Sequence, residues 1–303
     1  MKSLIVGYGS IGHRHADVLG KMGHNVAILS RRKIDHPQRF TTLDQALAEF
    51  MPEYVVIASR TIEHRDDIKQ LSSLGFSGIL MVEKPVYDTG SETIHGDFAR
   101  IKVAFNLRFH PALQRFREII GTRDVHAATA YVGSYLPDWR PETDYRQSYS
   151  ADQHRGGGVL RDLSHELDYL TWIFGPWRVL TALGGHFSKL DIDSDDVFSV
   201  LYETEQIPSI SLNINYLDTT TRREVIALTA SGTVRLDMVA GTIEADGKIE
   251  TFAVERNDTY IGQHKAMIDA DDDIICDVSE GLDVMRMITA IENAANSKTW
   301  VYA

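Results

Sequence analysis

The run Gly7-Tyr8-Gly9-Ser10-Ile11-Gly12 constrains this chain more than any other feature. It follows the apolar triplet Leu4-Ile5-Val6 directly and opens an amphipathic stretch from Ile11 to Lys21, which places a G-x-G-x-x-G pattern between a buried strand and a helix. The three glycines then have separate tasks. Gly7 permits the tight turn, Gly9 lets backbone approach a pyrophosphate, and Gly12 lets the helix pack on the strand. The N–H groups of Ser10, Ile11 and Gly12 open the helix and face the phosphates. The expectation is a dinucleotide-binding βαβ unit beginning at the first residues.

About 20 residues on, a site selecting a free ribose hydroxyl would carry Asp or Glu. Here the second strand, Val26 to Leu29, runs into Ser30-Arg31-Arg32, whose hydroxyl and guanidinium groups suit a 2′-phosphate. The reading therefore favours NADP and leaves NAD admissible. Strand-like and helix-like segments alternate on from there: Asp44 to Phe50 (helix), Tyr54 to Ala58 (strand), His64 to Leu74 (helix), then strands Ile79 to Val82 and Ile101 to Phe105. This is the pattern of a doubly wound parallel sheet. Ala58 and Ser59, at the end of a central strand, join the expected cofactor set. So do Glu83, Lys84 and Asn106, which follow later strands.

Beyond about residue 122 the period changes. Ile210-Ser211-Leu212-Asn213-Ile214-Asn215-Tyr216 alternates as a strand covered on one face does, and Ser231-Gly232 and Asp246-Gly247 suit hairpin turns. Two helices are expected there, Val159 to Phe174 and about 278 to 295. The expected fold is α/β: an N-terminal Rossmann domain over residues 1–121, and a C-terminal α+β domain with a large, mostly antiparallel open sheet over residues 122–303. The last helix is expected to pack back toward the Rossmann domain.

Composition removes several function classes. A net charge of −12 with scattered basic residues argues against a nucleic-acid partner. No apolar run approaches the roughly 20 residues of a membrane span, and Leu4-Ile5-Val6 is too short for a signal core, so the expected location is the cytoplasm. The single cysteine, Cys276, cannot form an intrachain disulfide and reads as a core residue. His13, His15, Asp269 and Asp271-Asp272-Asp273 do not make a metal site by spacing, so no metal is expected.

Three further motifs follow the glycine run in order: Met81-Val82-Glu83-Lys84-Pro85, Phe105-Asn106-Leu107-Arg108-Phe109-His110-Pro111, and Gly156-Gly157-Gly158 leading into Val159-Leu160-Arg161-Asp162-Leu163-Ser164-His165. Together the four resemble the glucose-fructose oxidoreductase/inositol dehydrogenase (Gfo/Idh/MocA) family over almost the whole chain. The resemblance implies an NAD(P)-dependent oxidoreductase acting on a hydroxyl or ketone of a sugar, cyclitol, sugar acid or nucleotide sugar. It implies that Lys84 touches the reacting hydroxyl and the nicotinamide, with the Asp and His of the glycine-led helix nearby. It also implies an open sheet used for homo-oligomerisation as a dimer or tetramer.

Residue chemistry points the same way. A lysine at a strand end beside a cationic ring has a lowered pKa and can exchange a proton. On one continuous helix Asp162 and His165 fall on the side opposite Leu160, Leu163, Leu167 and Leu170, which makes His165 a general acid/base and Asp162 its partner. In much of the family this pair stands four residues apart; here it stands three apart, with Arg161 at the four-back position. Arg108, Trp139, Arg140 and Tyr145 complete the expected substrate contacts together with Lys84, Asp162 and His165, since aromatic faces stack on sugar C–H groups and guanidinium groups bond hydroxyls. Two other readings share the fold: an NAD-dependent glycoside hydrolase and a non-catalytic dinucleotide or sugar sensor.

Overall fold

A computed structural model describes residues 1–90 and 92–303. The chain divides into two units, Met1–Phe109 with Glu255–Met285, and His110–Val254 with Arg286–Ala303.

In the first unit, strands β1 (Lys2–Val6), β2 (Asn25–Leu29), β3 (Arg39–Phe40), β4 (Tyr54–Ile57), β5 (Ile79–Val82) and β6 (Arg100–Val103) form a parallel sheet in the order β3-β2-β1-β4-β5-β6. The antiparallel pair Cys276–Asp277 extends it beyond β6. This is the doubly wound order whose direction reverses between β1 and β4, and ligands bind outside the carboxyl ends of the strands at that reversal. Leu4, Ile5, Val55, Val56, Leu80 and Met81 are all fully buried, because helices cover both faces of such a sheet.

The second unit is built on a nine-stranded sheet: β7 (Val125–Gly133), β8 (Trp177–Gly185), β9 (Val197–Thr204), β10 (Ile210–Asn215), β11 (Arg222–Thr229), β12 (Gly232–Asp237), β13 (Thr242–Ala245), β14 (Lys248–Thr251) and the pair Val301–Tyr302. Every described pairing is antiparallel except β7 with β10. The alternation read in the sequence is real: Ile210, Leu212 and Ile214 are buried, with Ser211 and Asn213 between them on the other face. Buried Ala130, Val200 and Val225 continue that core face, while Leu183, Leu201 and Leu228 lie exposed on the open one. Asp246 and Gly247 both adopt positive φ, 54° and 70°, and close the β13–β14 hairpin in two residues.

Besides adding a helix at Pro111–Ile120, the structure corrects the helix reading in two places. The expected Val159–Phe174 helix is two helices, Val159–Asp162 and His165–Phe174, separated at Leu163 and Ser164. The Leu163 backbone (φ −100°, ψ 30°) leaves helical geometry, so a single wheel drawn through Asp162 and His165 does not describe them. A further helix, Asp258–Asp269, was not expected. Its buried face carries Thr259, Gln263 and His264 beside Ala266 and Met267, so the apolar periodicity that announces a helix is missing.

Candidate functional site

In the first unit the glycine run forms a cradle. Gly7 has φ +93°, and a Cβ there would lie 2.6 Å from the Ala58 carbonyl oxygen and the Ser59 nitrogen. A Cβ on Gly12 would lie 2.1 Å from the Gly7 carbonyl oxygen. Both glycines are therefore demanded by packing of the chain on itself. Gly9 differs, because a Cβ there meets nothing within 4 Å. It opens the Ser10–Lys21 helix, whose N-terminus has no side-chain cap and no acidic residue in its first turn. Its amide donors and positive potential thus face open ground at the sheet's reversal, where Gly7 meets Ala58 and Ser59. This arrangement fits a dinucleotide pyrophosphate.

Ser30 is buried, and its hydroxyl accepts from the Arg32 amide at 3.2 Å. Arg31 is exposed and paired with Glu63, which also accepts from Arg60 at 2.6 Å. Burial raises the Glu63 carboxyl, but the hydrogen bonds from Arg60 and Arg31 outweigh it and hold the group below its ordinary range. Ser59 donates to Asp67 at 2.5 Å.

Glu83 and Lys84 leave the carboxyl end of β5. The Glu83 carboxylate is buried, takes the Lys84 amide on Oε2 at 3.1 Å, and lies 2.8 Å from His15 Nε2 through Oε1. The segment after Lys84 is fixed from the other side by His64, whose Nδ1 lies 3.2 Å from the Pro85 and Val86 carbonyls. Burial lowers the His64 pKa against the opposing charge of Glu83, so the ring stays neutral and a single N–H donates. Asn106 and Arg108 are both buried. Asn106 donates to Thr259 at 2.7 Å and Arg108 to Glu280 at 2.9 Å, so each ties the end of the parallel sheet to the Glu255–Met285 segment.

In the second unit each glycine of the motif answers to backbone conformation or to packing. Gly156 and Gly158 have positive φ, 82° and 115°, and a Cβ on Gly157 would lie 2.1 Å from the Tyr149 carbonyl. A Cβ on Gly158 would strike the Asp195 carboxylate at 2.3 Å, and that carboxylate accepts the Leu160 amide at 3.2 Å. Asp195 thus caps the short helix ending at Asp162, although nothing in the sequence beyond its place in the Asp191-to-Asp196 acidic run marked it. Burial lifts its pKa from an ordinary 3.8 to about 6. Because the folded pKa exceeds the unfolded one, the folded state holds the proton more tightly. Stability therefore falls as pH rises from about 4 to 6, by about 3 kcal/mol at 1.4 kcal/mol per pH unit. Asp195→Asn keeps the acceptor oxygen and is expected to raise Tm above wild type at pH 7.5. The gain should vanish at pH 4, as calorimetry at the two pH values would show.

Asp162 is buried and accepts a 2.6 Å hydrogen bond from Tyr216, a residue that sequence reading did not single out beyond its strand. Burial, then the Asp162 charge, raises the Tyr216 phenol far above its ordinary pKa and keeps it a donor. Trp139 packs edge-on against Tyr216 with ring centroids 5.2 Å apart, so Trp139 and Asp162 belong to one cluster. Trp139, Arg140 and Tyr145 line one shallow depression together with Leu136 and Ser148. His165 is half-buried at the start of its own helix. Among the described residues no cluster of three or more His, Cys, Asp or Glu could hold a metal ion, and no helix is long and apolar enough to cross a membrane.

Residues 113–235 match the model of the GFO/IDH/MocA C-terminal domain. An uncharacterised oxidoreductase of Synechocystis sp. is 31% identical over 150 residues, which are 47% of this chain and 40% of that relative, so the match spans less than half of the relative's length. Among solved structures, GenD2 from gentamicin A biosynthesis, in complex with NAD, superposes with a TM-score of 0.82 at 21% identity, over 100% of this chain and 96% of that one. The WlbA dehydrogenase from Bordetella pertussis, in complex with NADH and UDP-GlcNAcA, superposes with a TM-score of 0.79 at 19% identity, over 100% of this chain and 98% of that one.

Proposed function

We propose that this chain, whose residues 113–235 match the GFO/IDH/MocA C-terminal domain, is a member of the Gfo/Idh/MocA family and an NAD(P)-dependent dehydrogenase or reductase acting on a CH–OH group or its ketone in a sugar, cyclitol, sugar acid or nucleotide sugar. The observation that carries this reading is the open ground above Gly9, at an uncapped helix N-terminus on the reversal of a doubly wound sheet. The bound nicotinamide supplies the hydride chemistry. The chain's own residues bind, orient and move protons.

Gly7, Gly9, Ser10, Ile11 and Gly12 hold the phosphates, and Ala58, Ser59, Glu83 and Asn106 line the nicotinamide side. Lys84 polarises the reacting oxygen. His165 exchanges the oxygen's proton, and Asp162, held by Tyr216, balances its charge. Trp139, Arg140 and Tyr145 supply a platform for the carbohydrate. A nucleotide sugar in a structural relative supports that substrate class. The test is a panel of sugars, cyclitols, sugar acids and nucleotide sugars followed by nicotinamide absorbance. Reduction of NAD(P) with at least one class is expected, and silence across the panel would refute the reading.

Ser30, Arg31 and Arg32 favour NADP, with the 2′-phosphate taking the place of Glu63 as the partner of Arg31. Arg31→Ala is expected to lower kcat/KM for NADP about tenfold, the cost of one exposed charged contact, and to leave NAD unaffected. A wild-type preference for NAD would overturn the assignment. The open face of the nine-stranded sheet, with Leu183, Leu201 and Leu228 exposed, supports a homo-oligomer. Analytical ultracentrifugation is expected to show a dimer or tetramer that Leu201→Asp dissociates; a wild-type monomer at high concentration would contradict it.

A further inference from the structure

Beneath the Glu83-Lys84 turn lies a chain of buried polar side chains from four separate stretches of the first unit. Tyr54 begins β4, His15 lies on the helix that the glycine run opens, Glu83 ends β5, and His264 comes from the Asp258–Asp269 helix. Tyr54, His15 and His264 are fully buried and Glu83 nearly so. Tyr54 Oη lies 2.8 Å from His264 Nδ1, His264 Nε2 lies 2.9 Å from His15 Nδ1, and His15 Nε2 lies 2.8 Å from Glu83 Oε1. A buried Glu83 paired to two donors through its two oxygens is an anchor for the turn that carries Lys84.

The chemistry of the groups fixes a direction. An ionised carboxylate only accepts, so His15 presents Nε2–H to Glu83. His264, held neutral by burial, carries one N–H: at Nε2 it donates to His15 Nδ1, and it leaves Nδ1 to accept from the Tyr54 hydroxyl. The Tyr54 hydroxyl, which also stands 3.4 Å from Met81 Sδ, closes the far end of the run, and the carboxylate at the near end sets the tautomers. Burial lowers the His264 pKa far below its ordinary value, and burial with the Glu83 charge keeps Tyr54 protonated.

We propose that Tyr54, His264 and His15 form a directional hydrogen-bond chain that holds the Glu83 carboxylate, and through it the Lys84 turn, in one orientation, which makes His264 a positioning residue for the reaction at Lys84. The inference rests on the dehydrogenase reading for its kinetic consequence and on the geometry alone for its tautomers. It joins the cofactor helix, through His15, to the turn bearing Lys84. An orienting partner of this kind acts on kcat more than on binding.

Two measurements test it. In protein with 15N-labelled imidazoles and no cofactor or substrate, both His15 and His264 are expected as the Nε2–H tautomer across neutral pH. Nδ1–H at either ring would overturn the directional chain. In turnover, His264→Leu is expected to lower kcat about tenfold and leave the cofactor Kd within about twofold, while His264→Gln, whose amide N–H stands near the Nε2 position, recovers most of the loss. Tyr54→Phe, which removes the terminal donor and keeps the ring, is expected to fall between them. Wild-type kcat in both Tyr54→Phe and His264→Leu, or equal losses in His264→Leu and His264→Gln, would overturn the positioning role. If His264→Leu does not fold, Tyr54→Phe and the tautomers decide. Absence of dehydrogenation in the wild-type protein would remove the functional reading instead, since the ring tautomers are read without substrate.

Discussion

Lys84→Ala is expected to lower kcat by about three orders of magnitude while leaving cofactor affinity within a few fold, because proton-transfer groups contribute about 10²- to 10⁴-fold and Lys84 is proposed to act on the reacting oxygen. The backbone of the turn has anchors of its own. Glu83 holds the Lys84 amide, His64 faces the carbonyls of Pro85 and Val86, and the flanking Val82, Pro85 and Val86 are buried. Truncation therefore removes the ammonium group from a turn whose backbone other residues hold. Single-turnover kinetics with a saturating cofactor would separate chemistry from binding. A variant that retains near-wild-type kcat would show that the oxygen is polarised elsewhere.

The second large effect is a contrast between two glycines of one motif. Gly12→Ala places a methyl group 2.1 Å from the Gly7 carbonyl oxygen, a backbone atom that cannot step aside, and Gly7 is itself confined by Ala58 and Ser59. Overpacking of this kind costs about 1–3 kcal/mol or more, well above the roughly 1 kcal/mol that Ala gains over Gly in a helix. Gly12→Ala is thus expected to lower Tm markedly. Gly9→Ala meets open space and is expected to leave Tm unchanged, yet to weaken NAD(P) binding by about tenfold or more, because the methyl group occupies ground the pyrophosphate needs. Thermal melts and calorimetric titration of both variants check this. Equal effects of the two substitutions on stability would contradict the division of labour.

The parallel sheet was legible because its signals are local: short apolar runs ended by Gly7, Ala58 and Glu83 at the carboxyl ends of strands, where the residues that matter also lie. The second sheet was legible from period-2 alternation and from Asp246-Gly247. What stayed hidden was non-local or polar. The Asp258–Asp269 helix buries Gln263 and His264, so its inward face reads as a surface. Its return to the first unit is encoded in partners such as Asn106 with Thr259, 153 residues apart, which no window along the chain compares. The break at Leu163 and Ser164 is likewise invisible to apolar spacing, since Leu160, Leu163, Leu167 and Leu170 are buried on either side of it. Tyr216 and Asp195 gained their roles only from what they touch, Asp162 and the Leu160 amide.

The triple glycine illustrates how one motif supports two explanations. Resemblance makes it the approach to a proton-transfer helix. The structure adds that each glycine is forced, by positive φ at Gly156 and Gly158 and by the Tyr149 carbonyl at Gly157, so the motif would be needed for folding even in a chain that catalyses nothing. The functional case accordingly rests on Gly9, where packing makes no demand, and on Lys84.

The central claim is tested most directly by counting. With a substrate from the carbohydrate panel in excess and a known amount of oxidised cofactor, the reduced nicotinamide formed is measured against the carbonyl product formed. A dehydrogenase yields one reduced nicotinamide for each carbonyl, and that ratio is the expected result. Substrate consumed through many turnovers with no net reduction, as in a hydrolase that oxidises only transiently, would contradict it.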